Sequence, residues 1–390
     1  MSRLLILAVA LLATGCGQTA AGARALALEA GAVWVGPHAV RSIASGSATP
    51  DGPEVLWLAD ERRVFEVTDQ GTSEEVWKPP QFGRLLRLEA ADLDGDGAEE
   101  WIVTVDAGRI RSFVVRRTAD GAEEVARTAG FLRPVVGPEG TVVLLAQSAG
   151  AESPYSGPVK RAALNGGAIS AGEALDLPRT LSLHDIAFLP GEGGHRLFTY
   201  EPTGHLGERD PRSPRASLWR SDVRMVARPV EVERRYGNLL GEELQDSLAL
   251  PVPPVVADLD GDGAEEVLLV AGTTTPVAVL QNVRVLQGGD ARVMKPGARG
   301  LVEHVRSPLL GRAMVGVVPW THRGRSVLAA AVWTRADTGF ARPETRVFLL
   351  HPATGDLVGL EEPSPVKEPS PVKEVAPTEE SVPPEEPGEP

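Results

Sequence analysis

The sequence predicts an all-β protein built from repeated four-stranded units, and three observations carry that prediction. Between about Ala25 and Leu360, short apolar runs rich in Val, Leu and aromatics are separated at brief intervals by Gly, Asp, Asn and Pro, the pattern of an all-β array. Opening strands recur near 39–45, 84–91, 131–136, 180–189, 252–259 and 313–319, spaced by 45 to 72 residues. One ten-residue string, ADLDGDGAEE, occurs at 91–100 and again at 257–266. Units of about four strands at that period are the signature of a β-propeller, here of six blades. Seven is the alternative: the wide gap between 190 and 252 has room for another blade, and residues 26–35 (ALALEAGAVW) can supply a closing strand. Closure matters because it removes strand edges that would otherwise pair with other chains.

From the N-terminus, residues 1–15 read as an export signal, with Arg3, an apolar run Leu4–Leu12 and the small residues Ala13-Thr14-Gly15 before Cys16. The run falls short of the ~20 residues that span a bilayer. Cys16, the only cysteine, is the expected lipidation point, with residues 16–25 as a tether. Gly17 rather than Asp after it favours an outer membrane in a Gram-negative cell. One acyl chain anchors only marginally, so a stable anchor requires multiple acylation of Cys16. With that cysteine spent, the body at 26–360 has none for disulfides.

Within the body, Asp51-Gly-Pro-Glu-Val-Leu-Trp-Leu-Ala59 echoes Asp262-Gly-Ala-Glu-Glu-Val-Leu-Leu-Val270 as a copy that has lost its acidic loop. The hairpins at 68–78 (TDQGTSEEVWK) and 118–128 (TADGAEEVART) also match. Trp57, Trp101 and Trp333 lie in apolar runs and are expected to pack between blades. The stretch 200–236 breaks the rhythm, with eight Arg around Trp219. It is expected to be an irregular insertion in which Arg209, Arg212, Arg215 and Trp219 contact an acidic or sugar-bearing partner. The run 238–250 (NLLGEELQDSLAL) is compatible with a short helix.

The repeated string has its own chemistry. Carboxylates at alternate positions of a tight turn (Asp92, Asp94, Asp96; Asp258, Asp260, Asp262), with glycines where the backbone must turn sharply, suit the flexible oxygen shell of Ca²⁺. Glu100 and Glu266 add a carboxylate at the ninth position, and Ala98 and Ala264 are expected to offer backbone carbonyls. Without a counter-ion, two such carboxylates 4 Å apart would repel by about 4 kcal/mol at an effective dielectric of ~20. An EF-hand is excluded, because the twelfth position is Val103 or Leu269 and strand-like residues follow.

The stretch FGRLLRLEAADLDGDGAEEWIV (82–103) resembles the FG-GAP, or VCBS, repeat of integrin-like propellers, including Phe82-Gly83 before the acidic loop. The second copy keeps the loop and Ala271-Gly272 but lacks the Phe-Gly pair, and both copies carry Glu where that family usually has Asp. The resemblance covers about forty residues, and what it implies is a calcium-braced propeller; by itself it does not imply catalysis.

The tail, 361–390, holds nine Glu against two Lys and the duplicate EPSPVK at 362–367 and 368–373. Such a segment buries too little apolar surface to fold and is expected to be an extended, acidic, proline-rich arm. A formal charge of −14 argues against nucleic acid and an anionic membrane face as partners. No nucleophile elbow, zinc pair, phosphate loop or dinucleotide fingerprint is present, and the seven His are scattered. The expected function is a non-enzymatic binding or scaffold module of the bacterial envelope with a protein or glycan partner. A lectin-like propeller is the alternative, and a polysaccharide hydrolase or lyase a further one.

Overall fold

In the computed structural model the described residues are 32–36, 38–68, 71–80, 83–118, 121–137, 140–150, 155–191, 194–210, 213–225, 227, 230–237, 243–276, 284–311, 313–334 and 344–358. The signal and lipidation segment with Cys16, the Phe82 of the Phe-Gly pair, Arg212 and the acidic tail lie outside them.

The first strand, β1 (Ala32–Gly36), is set aside for the closure of the ring. Blade one follows as β2 (Ser42–Ser47), β3 (Glu54–Ala59), β4 (Val64–Val67) and β5 (Ser73–Trp77). Blade two is β6 (Arg84–Ala91), β7 (Glu100–Asp106), β8 (Ile110–Thr118) and β9 (Gly121–Ala129). Blade three is β10 (Phe131–Val136), β11 (Val142–Ser148), β12 (Ser156–Asn165) and β13 (Ala168–Ala174). Blade four is β14 (Ile186–Gly191), β15 (Gly194–Tyr200), β16 (His205–Asp210) and β17 (Ser213–Arg224). A two-stranded hairpin, β18 (Val230–Gly237) and β19 (Glu243–Leu250), precedes blade five. That blade is β20 (Val255–Ala257), β21 (Glu266–Pro276), β22 (Arg284–Pro296) and β23 (Leu301–Arg306). Blade six is β24 (Ala313–His322), β25 (Arg325–Trp333) and β26 (Thr345–Leu350), with β1 as its outermost strand. Each blade is an antiparallel four-stranded sheet, and together they form a six-bladed β-propeller.

The six opening strands fall where the sequence spacing places them, and six is the blade number. The stretch between 190 and 252 contains a hairpin rather than a seventh blade. Its second strand also corrects the helix expected at 238–250, since Glu243–Leu250 pairs antiparallel with β18 from Val230↔Leu250 to Gly237↔Glu243. Leu and Glu are good helix formers, but intrinsic propensity is a small term per residue, and a partner strand beside them outweighs it. Likewise, most of 200–236 is not an irregular insertion but the regular strands β16, β17 and β18.

Ring closure joins the two ends of the body. β1 runs antiparallel to β26, with Trp34 opposite Val347 and Gly36 opposite Thr345. Three side-chain bonds support it: the Val40 amide donates to Thr345 Oγ1 at 3.1 Å, that hydroxyl donates to the His38 carbonyl at 2.7 Å, and Trp333 Nε1 donates to the Val40 carbonyl at 2.7 Å.

Inner strands are buried on both faces because each blade is covered by its neighbours. This is why β7 (EWIVTVD) and β25 (RSVLAAAVW) read as near-continuous apolar runs, not as alternating ones. Trp57 and Trp101 meet edge-on between blades one and two, with ring centroids 5.4 Å apart and no exposure. The outermost strands β5 and β13 are mostly exposed and polar or small. The first strands of the blades surround an axial cavity of about 370 Å³.

Candidate metal loops and the axial charge cluster

Both copies of the acidic string form the turn between the first and second strands of their blades, β6–β7 and β20–β21. The two turns are built alike. Asp92 accepts the amides of Gly95 (2.6 Å) and Gly97 (3.0 Å), and Asp258 accepts those of Gly261 (2.7 Å) and Gly263 (3.0 Å). Asp96 and Asp262 accept the amides of Ala98 and Ala264, each at 2.8 Å. The four glycines have φ between 77° and 87°, a left-handed conformation that a side chain would strain. Glu100 and Glu266, both 0% exposed, close each turn by accepting the amides of Leu93 (3.0 Å) and Leu259 (2.8 Å).

Within each turn, one carboxylate oxygen from every Asp of the triplet lies within 4.8 Å of the others. Among the described residues, no other group of three His, Cys, Asp or Glu brings its ligand atoms so close. The donors are all oxygen, those of each Asp triplet converge, and the buried ninth-position carboxylate is held by a backbone amide. This set fits a hard divalent cation. The first turn also ties two blades together, since the Glu99 amide donates to the Ser47 carbonyl at 2.9 Å and the Ser47 amide donates to the Glu99 carboxylate.

Each loop contains a basic side chain that sequence reasoning missed. In blade two, Arg116 on β8 sets Nε and Nη2 on Glu100 Oε1 at 2.8 and 2.7 Å and reaches Asp94 as well. In blade five, Lys295 on β22 sets its Nζ 2.7 Å from Asp260, 2.8 Å from Asp262 and 3.3 Å from Glu266. Hydrogen bonds that Lys295 donates to Asp260 and Asp262 hold its pKa above the usual ammonium value. For Glu100, burial pushes the pKa up, opposed by the Leu93 amide and Arg116. Arg116 and Lys295 occupy the same place in the repeat, one position beyond the Trp101↔Val115 and Val267↔Met294 pairs. Spacing along the chain hides this, because 16 residues separate Glu100 from Arg116 and 29 separate Glu266 from Lys295.

A second charged group lies beside the axial cavity. Arg133 on β10, 3% exposed, donates from Nη1 to the carbonyls of Leu183 (2.8 Å) and Ile186 (2.6 Å). It also donates from Nη2 to the Pro254 carbonyl (2.8 Å) and from Nε to Glu89 (3.2 Å). Arg87 donates to the carbonyl of Pro251. One guanidinium thus braces blades two, three, four and five across the axis. Burial raises the Glu89 pKa, against the pull of Arg133 and Arg87. The readable signal was a charge placed inside an apolar first strand, as in RLLRLEA and FLRPVV.

Of the residues expected to contact a partner, Arg209, Arg215 and Trp219 are described, on the paired strands β16 and β17. Arg209, 12% exposed, donates to Thr199 Oγ1 at 3.1 Å and pairs with Glu201 at 3.6 Å. Trp219 lies against Gly300 of blade five and the apolar cluster beneath it. Arg215 is exposed on β17.

No known protein family and no curated protein matches the chain. Solved structures similar to it include a protein provisionally described as an oxidoreductase (glucose dehydrogenase) from Thermus thermophilus, with TM-score 0.44 and 16% identity. That match covers 81% of this chain and 98% of the other. Another is BBS1N in complex with ARL6DN, with TM-score 0.42, 14% identity and coverage of 84% and 98%. These likenesses concern the fold alone.

Proposed function

We propose that this propeller is a calcium-stabilised, non-enzymatic binding platform of the bacterial cell envelope, tethered through a lipidated Cys16 at the outer membrane. The observation that carries the calcium part is the congruence of the two acidic turns: the same carboxylates, amide bonds and left-handed glycines recur in blades two and five. Asp92, Asp94, Asp96, Glu100 and the Ala98 carbonyl hold one ion. Asp258, Asp260, Asp262, Glu266 and the Ala264 carbonyl hold the other. When bound, the ion supplies positive charge that lets the carboxylates converge. The side chains themselves shape the turn and, in blade two, fasten it to blade one.

In this reading the charged groups beside the axial cavity act as braces between blades. Among its described lining residues, the one carboxylate outside the first acidic turn and its flank, Glu89, is held by Arg133. The partner class is an envelope protein or a glycan. Arg215, Arg220 and Arg224, all on β17, are exposed residues of the described part of the Arg-rich stretch.

Equilibrium dialysis of chelator-stripped protein tests the reading. Two Ca²⁺ per chain are expected, with Asp94→Ala and Asp260→Ala each removing about one and chelation lowering the melting temperature. Extracytoplasmic calcium modules bind in the ~10⁻⁴–10⁻³ M range, so the titration extends to that level. In cells, Cys16→Ser is expected to move the protein from the membrane to the soluble fraction. Zero calcium bound removes the metal reading, and an unchanged membrane fraction removes the tether.

A further inference from the structure

The two loops hold their resident cations differently. Arg116 is anchored sideways, with two nitrogens on one oxygen of the buried Glu100 and a third contact to Asp94. Lys295 instead places one compact charge among Asp260, Asp262 and Glu266, at 2.7, 2.8 and 3.3 Å. A guanidinium is planar and gains from a fixed fork, whereas an ammonium is a point charge on a flexible four-carbon stem. The Lys295 side chain is 27% exposed, and the ion pairs it makes among the described residues are with these three carboxylates. It can therefore swing outward while the loop keeps its amide bonds to Asp258, Asp262 and Glu266.

We propose that the second loop is a cation-exchange site: Lys295 is a tethered resident cation that holds Asp260, Asp262 and Glu266 together without metal, and a divalent ion enters as that ammonium leaves. This rests on the calcium reading above and deepens it. Four carboxylates against one ammonium still leave a strongly negative loop, so trading a single charge for a double one is electrostatically favourable. The loop keeps its shape when metal is scarce. Its affinity is set by competition with a charge on the same chain, not by the oxygen donors alone. The first loop, with its guanidinium clamped on Glu100, exchanges less readily.

The test isolates the second loop by working in an Asp94→Ala background. Chelator-stripped protein with Lys295 or with Lys295→Gln is titrated with Ca²⁺ by calorimetry. Removing a competing charge this close is expected to tighten binding on the order of tenfold. In a second arm, the full chain is acetylated with and without saturating Ca²⁺ and its peptides are weighed. Labelling of Lys295 is expected to rise with Ca²⁺, while Lys78 and Lys160 stay constant. In chelator, Lys295→Gln is expected to melt below wild type, with Ca²⁺ closing the gap.

Equal or weaker binding by Lys295→Gln overturns the exchange, as does Lys295 labelling indifferent to Ca²⁺. Those outcomes leave the calcium reading standing. If neither protein takes up Ca²⁺ in the millimolar range, the calcium reading itself fails and the exchange with it.

Discussion

His184 is fully buried, with its ring edge-on to Phe131 at 5.7 Å and to Tyr155 at 6.1 Å. Burial, and after it the positive charges of Arg87 and Arg133, hold its pKa well below that of free imidazole. The folded chain keeps this ring neutral, while the unfolded chain takes up a proton below about pH 6.5. The unfolded state then binds more protons, so the contribution is whole above that pH and is lost as pH falls, by about 1.4 kcal/mol per pH unit. His184→Phe keeps an aromatic ring in the cluster and removes the titrating group. The pH dependence of urea-unfolding free energy between pH 6 and 5 is expected to become shallower by one proton; an unchanged slope counts against a neutral His184. The same scale explains the loop cations. Repulsion within each acidic loop calls for a counter-ion, and Arg116 and Lys295 supply one from the third strand of the blade.

At the scale of the blade, stability comes from sheets packed face to face with no solvent between them. Trp57 on β3 is fully buried against Trp101 on β7 and joins the apolar cluster of blades one and two. Truncating a buried Trp to Ala costs about 3–5 kcal/mol through lost transfer energy and the cavity left behind. Trp57→Ala is therefore expected to lower urea-unfolding free energy by about that amount; a loss under about 1 kcal/mol would place this side chain outside the packed seam. Elements of this kind were legible in the chain. Strands β6 and β10 coincide with the runs 84–91 and 131–136, because inner strands are apolar on both faces and their turns are marked by Gly and Asp. The hairpin β18–β19 was not legible, since what makes Glu243–Leu250 a strand is its pairing with β18.

For the molecule as a ring, the joint is β1 on β26. Without β1, the backbone groups of β26 would form an open edge able to pair with another chain. Two lipid-free chains, one beginning at Ala25 and one at His38, isolate that effect. The shorter is expected to melt at a lower temperature and to show a larger share of oligomers by light scattering. Identical behaviour would mean that the ring holds without its closing strand. The Arg133 brace belongs to this scale too, because its contact with the Pro254 carbonyl joins residues 121 positions apart.

The amino-acid sequence by itself determined the strand rhythm, the six opening strands and the two acidic turns. Each of these is written in neighbouring residues: apolar runs, glycines at sharp turns, alternate carboxylates. Tertiary structure alone decided that Lys295 and Arg116 stand opposite Glu266 and Glu100, that Trp219 packs on Gly300, and that Arg133 reaches across the axis. Those contacts depend on strand register and blade placement, which bring distant residues together at spacings that differ from one copy to the next.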